Sequence, residues 1–562
     1  MNKKNIYCLS ILLLLLTSVL SCSSVGFKKQ QVSKGGVALL IEQRPNILLI
    51  VADDLGYSDL GVYGGEIDTP NLDKLAQSGM MLTDFHTAPT CSPTRSMLLS
   101  GTDNHLAGLG SMQSYMEFFA PELLGKPGYE GHLNFQVAAL PELLTDAGYH
   151  TYMTGKWHLG MEESQGPKAR GFEKSYVLLE GGAGHLDQLG IMAGNTKAAY
   201  REDGQLVQLP DDFYSTHFYA TKMVDYIKQN NADDKPFFGY LAFTAPHWPL
   251  QAPQKSIDKY KGKYDTGYEA LFNQRVKRQK ALGLIDEDTA LPALLSVDKK
   301  WSELTEEQKK RSARTMEIYA AMIDDLDKYV GHVISELKAM GEYDNTLIFF
   351  MSDNGAEGGN IGNMITEKSL DICCDNSYEN MGAANSYIWQ GSAWARASVG
   401  ASKLYKSFST EGGILAPAFV SYPKNIQPKQ QYNGFISVMD LYPTFLELAK
   451  TKHPGTYYKG RKVHSIKGAS LNSVLTGTSS VVHDENYVMG WELFGSMGIR
   501  KDNWKITFVP PPLGAGQWEL YNLADDPTEA FDLSKQYPEI FNELKILWEN
   551  YVKENGVQLR KP

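Results

Sequence analysis

The chain has 562 residues, of which 43% are hydrophobic and 21% charged. That is enough apolar material for a large core, and the length fits one big α/β domain with a smaller companion. Lys and Arg number 54 against 65 Asp and Glu, a net charge of −11, so a broad electrostatic grip on nucleic acid or another polyanion is disfavoured and any anionic substrate must be held by a local cluster.

Met1 to Cys22 has a basic start, a short apolar run and small residues before Cys22. This is an export signal, too short to cross a membrane comfortably. The ending Val19-Leu-Ser-Cys22 resembles a bacterial lipobox, which implies cleavage before Cys22 and acylation of its sulfur; a plain signal peptide cut nearby is the alternative. Ser23 after that Cys fits delivery to an outer membrane. Residues 23–44, polar and interrupted by Gly35-Gly36, read as a tether. The expectation is an exported bacterial protein, periplasmic or an outer-membrane lipoprotein, touching the membrane through its lipid anchor only. With Cys8 removed and Cys22 lipidated, Cys91, Cys373 and Cys374 remain, so there is no disulfide scaffold. Cys373 and Cys374 lack a CxxC partner and read as free or paired with each other, without an assigned role.

Asn46 to Ala52 is a continuous apolar run between Pro45 and the turn Asp53-Asp-Leu-Gly56, the pattern of a central parallel strand. Cys91-Ser-Pro-Thr-Arg95 follows. Pro93 suits the first turn of a helix that runs to Gly101, which places Cys91 at the positive end of the helix dipole and Arg95 on the same face one turn later. An anion would find both there. Gly148 to Gly160 alternates as a strand does and should put Lys156 and His158 on one side. Pro236 to Thr244 is another buried strand, with His247 emerging at its carboxyl end between Pro246 and Pro249. His185 is at most a candidate for substrate contact.

From Gln251 to Arg314 the chain is charged and rich in helix formers, an expected excursion over the active face. Met316 to Asp327 has helical periodicity, and Thr346 to Met351 repeats the buried-strand pattern and ends in Ser352-Asp-Asn-Gly355. Strands of open α/β sheets carry their sites at the carboxyl ends, so the two acidic turns could bring four hard oxygen ligands together, suited to Ca²⁺ or Mg²⁺. Near Leu475 the chain changes character, and Asn503 to Phe508 with Trp518 to Leu523 reads as paired strands before a helix.

Cys91-Ser-Pro-Thr-Arg95 resembles the first signature of the type I sulfatases, departing only where Ser100 replaces the usual Thr or Arg before Gly101. The continuation from Gly101 to Gly110 looks like the bacterial arylsulfatase branch. Gly155-Lys-Trp-His158 is similar to the second signature, Pro246-His247 to the Pro-His motif, and Leu404 to Pro417 to the segment in which a Lys stands five residues before Glu-Gly-Gly. That spacing selects Lys406 and leaves Lys403 a surface residue, with Glu411 and its glycines shaping the loop.

The resemblance implies an alkaline-phosphatase-like mixed sheet flanked by helices over residues 45–475 and a smaller C-terminal antiparallel-sheet subdomain over 476–562. It implies that a maturation enzyme oxidises Cys91 to formylglycine, and that one calcium ion is bound by Asp53, Asp54, Asp353, Asn354 and the modified Cys91. The implied reaction is hydrolysis of a sulfate monoester of a carbohydrate or an aryl alcohol. One hydroxyl of the hydrated aldehyde attacks sulfur, His247 and Lys406 protonate or neutralise the leaving oxygen, and the second hydroxyl, helped by His158, expels sulfate. Arg95, Lys156 and Lys406 hold the SO₃ group. A phosphonate or phosphodiester hydrolase can share the nucleophile motif, and a sulfoglycan-binding protein without catalysis would keep the cationic pocket. A two-zinc phosphatase would want a His cluster in place of Asp and Asn.

Overall fold

The computed structural model describes residues 44–292, 298–359, 361 and 364–559. The expected export signal, the lipobox and the tether up to residue 43 lie outside the described residues.

The strand Asn46–Ala52 is buried at every position, and its lack of alternation follows from having both faces covered. On one side it pairs in parallel with Phe237–Ala242, on the other with Thr346–Ser352. The parallel core continues from Phe237–Ala242 to His150–Lys156 and then Lys174–Leu178. Antiparallel Ala418–Ser421 adds beyond Thr346–Ser352, and short strands close both edges of a mixed sheet of 10 strands. Leu48, Ile50 and Ala52 face Met223 of helix Ser215–Asn230 and Met316 and Ile323 of helix Glu306–Met340. Ile47, Leu49 and Val51 face Met97 and Leu98 of helix Cys91–Ser100 and Phe445 of helix Leu441–Leu448.

Register places the site. Ala52 lies opposite Ser352, so the two acidic turns leave neighbouring strands at one level, and the Asp353 N–H donates to Ala52 O at 3.1 Å. The Asp53 N–H reaches the next strand's exit, donating to Ala245 O at 3.1 Å.

Val488–Leu493, Ser496–Lys501, Trp504–Phe508 and Trp518–Asn522 form a separate antiparallel meander. Its Ile499, Ile506 and Leu520 pack on Leu544, Trp548 and Tyr551 of helix Pro538–Asn555. This is the expected mixed α/β architecture with a small antiparallel sheet. A buried charge network ties that sheet to the segment leading into Cys91: Lys505 Nζ lies 2.5 Å from Glu411 Oε1 and 2.8 Å from Glu529 Oε1, and His86 Nε2 lies 2.8 Å from Glu411 Oε2.

The stretch from Gln251 to Arg314 departs from expectation. It contributes helix Tyr268–Ala281, whose buried Arg275 pairs with Asp59 at 2.5 Å and Glu66 at 2.7 Å. Arg275 is thus satisfied inside the fold, and among the described residues the stretch lines none of the cavity over Cys91. Cys373 and Cys374 are bonded to each other and pack beside Trp248, Ile365 and Tyr387. Among the described residues no helix is long and apolar enough to cross a membrane.

Candidate active site

Helix Cys91–Ser100 begins at Cys91 itself, with Thr90 in extended conformation before it and Pro93 in the first turn. Cys91 is 1% exposed, and its Sγ lies 3.3 Å from Asp53 Oδ1 and 3.8 Å from Asp54 Oδ1. Burial, with Asp353 close by, pushes this thiol well above its ordinary pKa despite Lys156 and Lys406. As an unmodified thiol it is a poor nucleophile.

Each carboxylate around it carries its own cation. Lys156 Nζ donates to both oxygens of Asp53, at 2.9 and 2.7 Å. Lys406 Nζ lies 2.9 Å from Asp54 Oδ2 and 2.8 Å from Oδ1. Arg95 donates to Asp353 Oδ2 from Nε and Nη2, at 2.9 and 2.7 Å, and to Lys156 O from Nη1 at 2.9 Å. Burial would raise the Asp54 carboxyl, but Lys406, His247 and Lys156 outweigh it and hold the group well below the usual carboxylate range. Asp353 goes the other way: burial and the neighbouring Asp53 push it up to about 6 against Arg95 and Lys156.

Asn354 Nδ2 donates to Asp54 Oδ1 at 2.7 Å and to Gly355 O at 2.9 Å, which leaves its Oδ1 buried without a hydrogen-bond partner. An orphaned amide oxygen among three buried carboxylates is a donor set that could hold a hard cation. One ligand atom each from Asp53, Asp54, Cys91 and His247 lie within 4.8 Å of one another. Asp353 and Asn354 join this group through Asp54, whose N–H is 3.3 Å from Asp353 Oδ1.

The two histidines come in over glycine. A Cβ on Gly181 would stand 2.7 Å from His158 Cε1, and one on Gly182 would stand 3.0 Å from His247 Cε1. His247 Nδ1 lies 2.6 Å from Trp248 O, so it carries the proton and donates, leaving Nε2 3.5 Å from Asp54 Oδ2. Burial lowers both imidazoles well below their ordinary pKa; Lys406 and Lys156 add to this for His247 against Asp54, and Lys156 and Arg95 add to it for His158. His185 supports the His247 turn from behind, with Nε2 donating to His247 O at 2.9 Å and Nδ1 accepting from Ser215 Oγ at 2.8 Å. Burial lowers it to about 4, and it is outside the cavity lining.

A cavity of 540 Å³ opens over Cys91, His158, His247 and Lys406. Arg95 and Lys156 lie beneath it, holding carboxylates. The strand ends at Lys156, and His158 stands two residues beyond with φ 54°. Lys156 therefore reaches the site as the last residue of its strand and His158 from beyond it, where the alternation expected of a continuing strand no longer applies. Lys403 is not a simple surface residue: its Nζ lies 3.1 Å from Glu519 Oε2 and 2.7 Å from Tyr521 Oη, tying it to the C-terminal sheet. Two residues escaped sequence reasoning. Glu357 Oε2 lies 3.2 Å from Lys406 Nζ, and Tyr240 Oη lies 3.4 Å from Arg95 Nη1. Glu357 could have been sought on the acidic turn three residues past Asn354; Tyr240, inside a buried strand, gave no signal.

The sequence profile described as Sulfatase matches residues 45–451. The chain belongs to the sulfatase family. A second profile, N-sulphoglucosamine sulphohydrolase C-terminal, matches residues 402–553. An uncharacterized sulfatase of Schizosaccharomyces pombe is 46% identical over 555 residues, 95% of this chain and 96% of its own. An arylsulfatase of Klebsiella aerogenes is 40% identical over 444 residues, 78% of this chain and 94% of its own. Among solved structures, Ps i-CgsB in complex with k-i-k-neocarrahexaose superposes with a TM-score of 0.64 at 25% identity, covering 91% of this chain and 94% of the other. Membership of this sulfatase family makes the protein a sulfuric ester hydrolase of the type I, arylsulfatase-like kind with an alkaline-phosphatase-like fold.

Proposed function

We propose that this sulfatase hydrolyses organic sulfate monoesters through a formylglycine made from Cys91, with one calcium ion held by Asp53, Asp54, Asp353, Asn354 and the modified side chain. The observation that carries the reading is the position of Cys91, at the head of its helix between two aspartates and directly under the cavity. Its Sγ marks where an oxygen of the converted residue would sit. Because Cys91 is buried, a maturation enzyme would have to reach it before folding is complete. The donor set fits the ion: all four residues offer hard oxygens, and the Asn354 oxygen lacks any partner. When bound, calcium would supply positive charge to the sulfate oxygens and favour ionisation of the hydrated aldehyde.

The side chains divide the remaining work. In the net reaction the bond from sulfur to the alcohol oxygen breaks, the alcohol leaves with that oxygen and gains a proton, and water supplies the oxygen that completes sulfate. Lys406, whose pKa is kept high against the effect of burial by Asp54 and Glu357, places a cation at the cavity floor for the sulfate and the departing oxygen. His247 must gain a proton on Nε2 before it can give one, since its Nδ1 proton is committed to Trp248 O. His158, kept neutral and with Nδ1 unpartnered, is able to accept a proton during sulfate release. Arg95 and Lys156 position Asp353 and Asp53 from below. Aryl and carbohydrate sulfates both present the anion this floor takes, in keeping with the names of the relatives. Export, with anchoring through Cys22, suits an enzyme that meets such esters outside the cytoplasm.

The test is mass analysis of the Cys91 peptide beside sulfate release from 4-nitrophenyl sulfate with and without calcium. Converted Cys91 and calcium-dependent release are expected. Full activity of Cys91→Ala would overturn the reading.

A further inference from the structure

The cavity over Cys91 has a polar floor and apolar walls. Above Lys406 and the two histidines, one wall is built from Ile191, Met192, Trp248, Ile361 and Met364, and behind it the Cys373–Cys374 pair and Tyr387 complete the same apolar cluster. Tyr115, Phe118 and Phe119 of helix Gln113–Phe119 line the same cavity as Phe494, which sits at the hairpin turn of the C-terminal sheet with φ 55°. The Tyr115 and Phe494 ring centroids are 3.8 Å apart. Phe118 and Phe119 are 56% and 43% exposed at the cavity they line, and grouped exposed rings beside a cavity, unlike scattered ones, are a mark of ligand-binding grooves.

Besides the Ser114 and Ser407 hydroxyls, the polar side chains of the wall are three carboxylates and one amide, each with a partner inside the protein. Glu357 holds Lys406 through Oε2 and accepts the Gly359 N–H through Oε1 at 2.6 Å. Both oxygens of Glu180 accept the Ala199 N–H, at 2.8 and 2.9 Å. Gln113 Nε2 donates to Glu117 Oε1 at 2.9 Å. A sugar brings several hydroxyls that each need a partner, and a site built for one supplies those partners or leaves them unpaired at high cost. The described walls offer mainly carbon and sulfur. The volume, 540 Å³, falls in the range of about 300–1,000 Å³ typical of sites for drug-sized molecules, so a single aryl ring leaves much of it unfilled.

We infer that the alcohol half of the preferred substrate is large and apolar, a multi-ring alcohol whose sulfate sits on the Lys406 floor and whose ring system runs along the Trp248 wall to Phe118, Phe119 and Phe494. The inference rests on the sulfate-ester reading above and adds the class of alcohol. The rings gain by leaving water against the apolar wall, and Phe118 and Phe119 lose their exposure in the same step.

The experiment uses enzyme with Cys91 converted and calcium present, and compares kcat/KM for three esters: 4-nitrophenyl sulfate, a steroid 3-sulfate and galactose 4-sulfate. The steroid has a saturated A ring, so the last two are both secondary alkyl sulfates; the sugar alcohol is the more acidic and better leaving group, so a preference for the steroid ester reads the pocket. The steroid ester is expected to exceed the sugar ester by at least about 10-fold. Phe118→Ser with Phe119→Ser, at exposed positions, is expected to lower kcat/KM on the steroid ester at least about 10-fold more than on 4-nitrophenyl sulfate, mostly through KM. A preference for the sugar ester, or equal losses on both esters in the double variant, overturns the inference while 4-nitrophenyl sulfate turnover leaves the sulfatase reading standing. Failure of converted, calcium-loaded enzyme to cleave any of the three esters overturns both.

Discussion

Lys406 Nζ lies within 2.9 Å of both oxygens of Asp54, although the two residues are 352 positions apart in the chain. The loop that makes this contact is fixed on both sides of the lysine: the Lys406 N–H donates to Ala356 O at 3.1 Å, and the Ser407 N–H donates to Pro89 O at 2.7 Å. The cation is thus delivered to the floor of the cavity by backbone contacts with the segments that carry Asp353 and Cys91.

Lys406→Ala should therefore lower kcat/KM by about 10²–10⁴-fold for a poor leaving group and by less for 4-nitrophenol, whose departing oxygen needs less help. His247→Ala should show the smaller leaving-group dependence of the two, since its Nδ1 proton is tied to Trp248 O. Lys403→Ala, which loses only its contacts with Glu519 and Tyr521, should behave like the parent on both substrates. Rates on a matched pair of aryl and alkyl sulfates decide the point; an inactive Lys403→Ala beside an active Lys406→Ala would reverse the assignment.

Asn354→Ala removes the partnerless amide oxygen that lies beside the carboxylates, and Asp53→Ala removes a carboxylate already balanced by Lys156. Both should weaken calcium binding. In the parent, adding calcium should raise the thermal midpoint, because an ion bound only to the folded state stabilises it. That rise should shrink in both variants, measured by calorimetry independently of turnover. An unchanged calcium-induced rise would place the ion elsewhere.

Gly181 has no room for a methyl group, with His158 Cε1 2.7 Å from where its Cβ would be. Gly181→Ala should push the imidazole away from the cavity and lower kcat by about 10-fold or more while leaving the fold intact, since small misplacements of a reacting group are costly. Circular dichroism with steady-state kinetics checks this. A fully active variant would show that His158 has no fixed place in the reaction.

The parts of the site most legible in the sequence were those that local rules determine. The buried run before Asp53, its twin before Asp353 and the helix opened by Cys91 and Pro93 follow from composition and turn chemistry, and the level convergence of the two acidic turns follows from parallel register. What escaped depends on partners distant in the chain. Lys403 looked like a surface residue because Glu519 and Tyr521, more than a hundred positions away, are what cover it. His158 looked like a further residue of the strand because periodicity cannot announce that the strand ends at Lys156. The excursion of residues 251–314 looked like an active-site cover because its many charges suggest solvent, whereas Arg275 meets Asp59 and Glu66 inside the fold.

Lys505 is fully buried between Glu411 and Glu529. Lys505→Ala leaves two carboxylates facing each other without the cation between them, and breaking a buried pair in this way costs about 3–5 kcal/mol. Urea unfolding should show a loss of that size, with the C-terminal sheet loosened. A double variant, Lys505→Met with Glu529→Gln, should recover part of it because fewer unpaired charges remain. No recovery would mean that packing of the lysine stem, rather than its charge, dominates.

His105 gives the fold a pH dependence separate from the chemistry. Its ring is buried, with Nδ1 2.9 Å from Asp103 Oδ1 and Nε2 3.8 Å from Glu492 Oε2, and Asp103 also accepts from Tyr551 Oη at 2.7 Å, so the cluster joins the end of the Cys91 helix to the C-terminal helix. Burial alone would lower the imidazole pKa, but Asp103 and Glu492 outweigh it and raise the group to about 9 from its ordinary 6.5. The folded state then holds a proton that the unfolded chain gives up above about pH 6.5. Its contribution is complete below that pH and is lost as pH rises through about 9, amounting to roughly 3 kcal/mol at most. His105→Gln should be less stable than the parent at pH 6, and the gap should narrow steadily to pH 9.5. Urea midpoints at four pH values from 6 to 9.5 read this directly; a gap that stays constant or widens with pH would show that His105 is neutral in the folded protein.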